Sequence, residues 1–281
     1  MARQREVITY HGNYATVLTY PVWGKKSNTR REKYKTTSDA QKKINNQKAV
    51  EKFKQLIECN FTKDDYELQC SFNDEHLPND YKSCLKMIQA FLRKVRNYYK
   101  KEYQQDLKYV GVIEKGVKNG RYHMHLTLNI PDRNRLADIL GRLRKLWTYG
   151  HMWSFMLEFG DDGMLGMAKY MLDNRDKDKR EEEARKEGKF KKWIQSRGLK
   201  KPEVKERTGY MSKKVAKDIR CGVMTQKDIE RLYPGYRVTE VNSFYNDYNG
   251  GEYLKIRLYK EVNYDEKNIR EIRGHTKSRN T

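Results

Sequence analysis

The segment Tyr122–Leu128 constrains the fold most, because its polar and apolar residues alternate with the two-residue period of a β-strand. The alternation places His123 and His125 on one face of that strand. The upstream run Lys108–Glu114 also has the composition of a strand, and Asn119–Gly120, between the two runs, is a strong tight-turn dipeptide. The sequence therefore predicts an antiparallel hairpin with both imidazoles on one side.

A carboxylate joins the two histidines on that side. If Asn119–Gly120 is a two-residue loop, Glu114 lies opposite His125, and His123 lies on the adjacent diagonal. Opposed side chains are about 5 Å apart at Cβ. Two histidines and one carboxylate leave coordination positions open for water or substrate. Although a His-x-His pair in a strand is often incidental, we expect a divalent metal here, and the ligands suit Mn²⁺ or Mg²⁺.

The charge indicates the partner. The chain carries 60 Lys and Arg against 38 Asp and Glu, a formal net charge of +22. Such an excess usually neutralises a polyanion, most often a phosphate backbone. The 21 tyrosines and four tryptophans offer faces on which unstacked bases can lie. A long apolar segment, a signal peptide and a lipidation motif are all absent. We therefore expect a soluble, cytoplasmic protein that binds nucleic acid and no membrane.

The four cysteines are scattered along the chain and form no C-x-x-C motif. They predict neither a zinc knuckle nor a disulfide framework. Cys84 lies on an apolar helical face, so we interpret it as a small core residue.

The periodic segments follow one another as helix, strand, helix, strand–hairpin–strand, helix, strand, helix. This order predicts an α+β fold in which an antiparallel sheet has helices packed on one face and basic extensions at both ends. The histidine face must then stay open to a ligand. We expect three parts: a basic N-terminal arm and helix (1–59), a domain carrying the hairpin (60–178), and a charged linker with a small C-terminal α/β region and a basic tail (179–281). Residues 1–36 are expected to be irregular.

A nucleophile is expected in the helical segment 163–177. Its apolar residues cluster on one side of a helical wheel, and Tyr170 lies on the opposite side. A core tyrosine would join the apolar stripe, so Tyr170 is expected to face something polar.

These motifs, taken in order, resemble those of the HUH endonuclease superfamily, and more specifically the rolling-circle replication initiators of Firmicutes phages, plasmids and mobile elements. His123-Met124-His125 matches the family's His-hydrophobic-His strand, Glu114 matches the glutamate that commonly completes its metal site, and Tyr170 matches its helical tyrosine. The first motif, Thr-hydrophobic-Thr, is poorly matched by Gln69-Cys70-Ser71. The matching segments span most of residues 38–236.

The resemblance implies an HUH/RRM-like nuclease domain that nicks and rejoins single-stranded DNA at a specific site with a divalent metal. Tyr170 would attack the scissile phosphate, giving a 5′-phosphotyrosine and a free 3′-OH that primes synthesis. The implied partners are single-stranded DNA or an origin hairpin, with the helicase and polymerase of a bacterial host cell. A single candidate tyrosine means that termination needs a second protomer or another acceptor.

One departure from the family pattern concerns the lysine that often follows the tyrosine by three residues, because Asp173 stands there. Electrostatic help must then come from Lys169, Lys177 or elsewhere, and Lys177 is our candidate. The alternatives are a relaxase or transposase of the same superfamily, or a non-catalytic origin-DNA-binding protein. We expect DNA contacts at Gly116, Lys118, Arg121, Lys169 and Arg175.

Overall fold

Two antiparallel sheets, each of five strands, organise the residues that the computed structural model describes. The described residues are 3–23, 39–116, 120–172, 191–247 and 250–260. They belong to two units, one made of residues 1–32 and 202–281 and the other of residues 33–201.

In chain order the strands are β1 Arg3–His11, β2 Tyr14–Val22, β3 Tyr66–Ser71, β4 Tyr109–Lys115, β5 Tyr122–Leu128, β6 Met152–Met156, β7 Ile194–Gln195, β8 Glu203–Thr208, β9 Arg237–Asn246 and β10 Gly251–Tyr259. The α-helices of the described residues are α1 Asp39–Asn60, α2 Tyr81–Tyr103, α3 Leu136–Leu146, α4 Leu165–Leu172, α5 Lys213–Arg220 and α6 Gln226–Leu232. None of these helices has the length and apolar character needed to cross a membrane.

The unit of residues 33–201 contains the sheet β6-β3-β5-β4-β7, in which the paired strands are antiparallel. Leu68, Met124 and Leu126 project from one face of this sheet and are fully buried against α2 and α3. Helix α2 begins where the Asp80 side chain accepts a hydrogen bond from Ser83 N, a typical N-cap. The predicted α+β class is confirmed.

The predicted core role of Cys84 is also confirmed, because this α2 residue is fully buried and its thiol is free. Burial raises the pKa of the Cys84 thiol to about 12. A thiol with such a pKa stays protonated and unreactive at neutral pH.

The opposite face of the same sheet carries the histidines. Val110 and Val112 project from this face and pack in one apolar cluster with α1 and α4. The histidine face is therefore less open than predicted, because two helices cover the part of the face that holds these valines. The histidines and Glu114 come from the adjoining part of the same face.

The other unit contains the sheet β8-β1-β2-β10-β9, against which α5 and α6 pack. The expectation that residues 1–36 are irregular is wrong for residues 3–22, which form the hairpin β1–β2. Its buried positions include Gln4, Glu6 and Thr16, and this polar content hides the alternation by which a strand is usually recognised. The expected boundaries at 59 and 178 differ from the two units of the structure, because the N-terminal strands pair with C-terminal ones.

Gly111 on β4 tests the close approach of β4 to β5. A Cβ added there would lie 2.6 Å from the backbone O of His125 and 2.9 Å from Leu126 Cδ1, so Gly111→Ala must push the strands apart. We expect a loss of about 1–3 kcal/mol in the free energy of unfolding, measured by denaturant titration.

Gly141→Ala is the matched control, because Gly141 lies within α3 and a Cβ there meets nothing within 4 Å. This change should stabilise the protein by about 0.5–1 kcal/mol through helix propensity. Equal unfolding free energies for Gly111→Ala and the wild type would contradict the close approach.

Candidate active site

The pairing of β4 with β5 sets the geometry of the site. Glu114 lies directly opposite His123, and Val112 lies opposite His125. The predicted pairing of Glu114 with His125 is therefore wrong by two residues. Because side chains alternate between faces, a shift of two residues leaves Glu114 and both histidines on the same face.

The loop explains the shifted register. Gly116 N–H donates to Arg121 O at 2.7 Å, and Gly120 N–H donates to Gly116 O at 2.9 Å. The paired strands thus end at Gly116 and Arg121, and the connection is longer than the predicted two-residue loop. Residues 117–119, with the first half of the Asn119–Gly120 turn, lie outside the described residues.

Glu114, His123 and His125 form a cluster in which one potential ligand atom from each residue lies within 4.8 Å of the others. Glu114 Oε2 is 3.3 Å from His123 Nε2 and 3.9 Å from His125 Nε2. Glu114 and His125 are buried, whereas about a third of the His123 side chain is exposed. The cluster is therefore anchored in the protein on one side and accessible from the other.

The cluster has the properties of a divalent-cation site. His125 Nε2 is buried and has no hydrogen-bond partner among the described residues. Leaving a buried polar atom unsatisfied costs about 1–3 kcal/mol, a cost that a bound ligand removes. Two imidazole nitrogens and a carboxylate oxygen match the mixed ligand set expected for Mn²⁺, and Mg²⁺ also accepts the carboxylate. Three protein ligands leave coordination positions for water or substrate.

Glu67 is a site residue that the sequence analysis missed. Its Oε1 lies 2.8 Å from His125 Nδ1 and 3.3 Å from Gln69 Nε2. A carboxylate at this position accepts the Nδ1–H of His125, which leaves the Nε2 lone pair directed towards Glu114. The available signal was alternation: Glu67 lies two residues before Gln69 on β3, and Gln69 pairs with His125.

Gln69 and Ser71 stand where the family's first motif has its threonines. Gln69 lies opposite His125, and Ser71 lies opposite His123. Both therefore face the cluster side of the sheet, although their side chains differ from the family pattern.

Tyr170 lies beside the cluster. Its ring is 5.3 Å from the ring of His125, centroid to centroid, and nearly perpendicular to it. About 61% of Tyr170 is exposed, whereas Ala168 and Met171 on the same helix are buried. The start of α4 is held by Glu58, whose Oε1 accepts a hydrogen bond of 2.9 Å from Met164 N. The tyrosine thus combines a fixed helix with a solvent-accessible ring.

The predicted cations have different outcomes. Arg121 is partly exposed and pairs with Asp74, and Lys169 is exposed beside Tyr170. A cationic contact at residue 116 is wrong, because Gly116 has no side chain; its neighbour Lys115 lies over the Tyr122 ring. Three predicted contacts or helpers, together with the Asp173 departure, lie outside the described residues: Lys118, Arg175 and Lys177.

Comparison with known families adds a decisive observation. The model of the family described as Replication-associated protein ORF2 matches residues 66–219, just over half of the chain. The chain belongs to this family. No curated protein and no solved structure matches it. The range that the family model matches contains Glu67, the Glu114 cluster and Tyr170, so the site lies within the part that the family defines. Membership assigns the protein to DNA replication, with DNA as its partner.

The Glu67–His125 contact leads to a prediction about metal affinity. Glu67→Ala should weaken Mn²⁺ binding about 10- to 100-fold, because His125 loses the acceptor that orients its ring. Glu67→Gln should retain most of the affinity, since its amide oxygen still accepts the Nδ1–H. Isothermal titration with Mn²⁺ measures both effects.

Glu102→Ala serves as the control, because Glu102 is an exposed glutamate at the end of α2 and should leave the affinity unchanged. A Glu67→Ala variant that binds Mn²⁺ as tightly as the wild type would remove Glu67 from the site.

Proposed function

We propose that this protein is a rolling-circle replication initiator that nicks and rejoins single-stranded DNA through Tyr170. The observation that carries the proposal is the contact between the exposed Tyr170 ring and His125, a member of the cluster that suits a divalent ion. Membership of a replication-associated family makes DNA the substrate.

The reaction is a transesterification. The Tyr170 oxygen forms a bond to phosphorus, and the bond from phosphorus to the 3′ oxygen breaks. The tyrosine hydroxyl loses its proton, and the departing 3′ oxygen gains one. The products are a 5′-phosphotyrosine and a free 3′-OH that primes synthesis.

The chain's own residues prepare this step. Glu114, His123 and His125 would hold the ion, and Glu67 would keep His125 in the required orientation. A divalent ion bound there polarises phosphate oxygens and offsets negative charge in the transition state. Tyrosine has a reference pKa of about 10, so its hydroxyl needs a positive neighbour to react at neutral pH. Lys169, exposed beside Tyr170, supplies one positive charge, and Lys177 is a second candidate.

The covalent product has a consequence for the replication cycle. The phosphotyrosine keeps the energy of the phosphodiester bond, so a 3′-OH can reverse the reaction without ATP. Because the proposal uses one tyrosine, the final strand transfer takes a second protomer or another acceptor. An origin hairpin as substrate and a host helicase and polymerase as partners are part of the same proposal.

A covalent adduct is the direct test. The protein is incubated with labelled single-stranded DNA from the origin of its own replicon and Mn²⁺, then denatured and separated by electrophoresis. We expect a label that stays on the wild-type protein and is lost in Tyr170→Phe, which lacks the attacking oxygen. His125→Ala should lower the adduct yield by about tenfold or more, because the ion loses a ligand.

Tyr210→Phe is the matched control, because Tyr210 is 55% exposed, close to the exposure of Tyr170, and lies outside the unit of residues 33–201. This variant should form the adduct normally. An adduct that persists in Tyr170→Phe would assign the nucleophile elsewhere. Its complete absence from the wild type would favour a non-catalytic origin-binding protein.

A further inference from the structure

We propose that Trp153 and Phe155 on β6 form a stacking platform for bases of the DNA strand whose phosphate lies at the candidate active site. This inference rests on the proposed function and assigns residues that bind the substrate beside the reacting groups. It concerns an edge strand, two strands away from the histidines.

Sheet register places both aromatic residues on the histidine face. Trp153 pairs with Gln69, which pairs in turn with His125 on the far side of β3. Phe155 pairs with Glu67, the residue that contacts His125. Directly paired residues project to the same side, so the aromatic rings, Glu67 and the cluster share one surface.

Both side chains are unusually exposed for their size. Trp153 is 50% exposed and Phe155 is 47% exposed, whereas Met152, which projects to the opposite face, is buried. Large apolar side chains that lie close together on a surface mark a binding site more often than single exposed residues do. The platform is therefore built for contact with another molecule.

A groove connects the platform to the cluster. It has a volume of about 480 Å³, and its lining includes His123, Gln69, Ser71, His151 and Trp153. The ring of His151 lies 5.8 Å from the ring of Trp153 at an angle of 36°. A strand with a phosphate at His123 thus has a continuous path to the indole.

Nucleotide bases fit this surface better than a protein segment does. Arg121 lines the same groove, and the chain carries a net charge of +22, which favours a polyanion. Residues two apart on a strand are separated by about 7 Å, twice the rise of about 3.4 Å between stacked bases. Successive unstacked bases can therefore each contact a ring, and such stacking accepts any base.

The test separates base contacts from phosphate contacts. Dissociation constants are measured by fluorescence anisotropy, in EDTA, for an oligo-dT strand and for an abasic strand of equal length. The abasic strand keeps the phosphates and lacks the faces that stack. The ratio of the two constants reports the contribution of the bases.

We expect Trp153→Ala and Phe155→Ala each to weaken oligo-dT binding about 5- to 150-fold and to leave abasic binding unchanged. Trp153→Phe should retain most of the base contribution. Trp23→Ala is the matched control, because Trp23 is 47% exposed and lies in the other unit, and it should change neither constant.

An unchanged ratio in Trp153→Ala overturns the platform. A loss of affinity that is equal for both strands also overturns it, because the contact would then be to phosphate or would act through the fold. Tyr170→Phe should keep the wild-type ratio, since binding in EDTA involves no cleavage. A wild-type protein that shows the Trp153-dependent ratio but forms no adduct supports the platform and removes the nicking reaction.

Discussion

The pairing of β4 with β5 is the constraint on which the rest of the site depends. Met124 and Leu126 are fully buried on one face of β5, so a slip of one residue would place these side chains outside and the histidines in the core. The apolar core therefore fixes which face the imidazoles occupy. Glu114 reaches His123 because β4 is held in the same ladder.

Burial increases step by step across the cluster. His125 is held between Glu67 on one ring nitrogen and Glu114 near the other, and all three side chains are largely shielded from water. Ionised carboxylates are costly to bury without a positive partner. A bound cation would relieve that cost for Glu114, while the exposed sides of His123 and Tyr170 leave room for a phosphate. The same arrangement thus accounts for an ion, a substrate and a nucleophile.

Sequence patterns predicted much of this arrangement because local periodicity dominates it. The two-residue period placed His123 and His125 on one face, and the helical wheel separated Tyr170 from the buried residues of α4. The register was wrong because it depended on the loop, and one turn dipeptide does not determine loop length. Glu67 was missed because its contact needs the pairing of β3 with β5, which lie 58 residues apart at Glu67 and His125. The strands β1 and β2 were missed because polar residues occupy their buried positions.

Mass spectrometry of the covalent product tests the central claim most directly. The adduct formed with origin DNA is digested with nuclease and trypsin, and the peptide that carries the remaining nucleotide is sequenced. We predict a nucleotide phosphate on Tyr170, within the peptide that begins after Lys169. A nucleotide on any other tyrosine would contradict the assignment of the nucleophile and the role given to the contact between Tyr170 and His125.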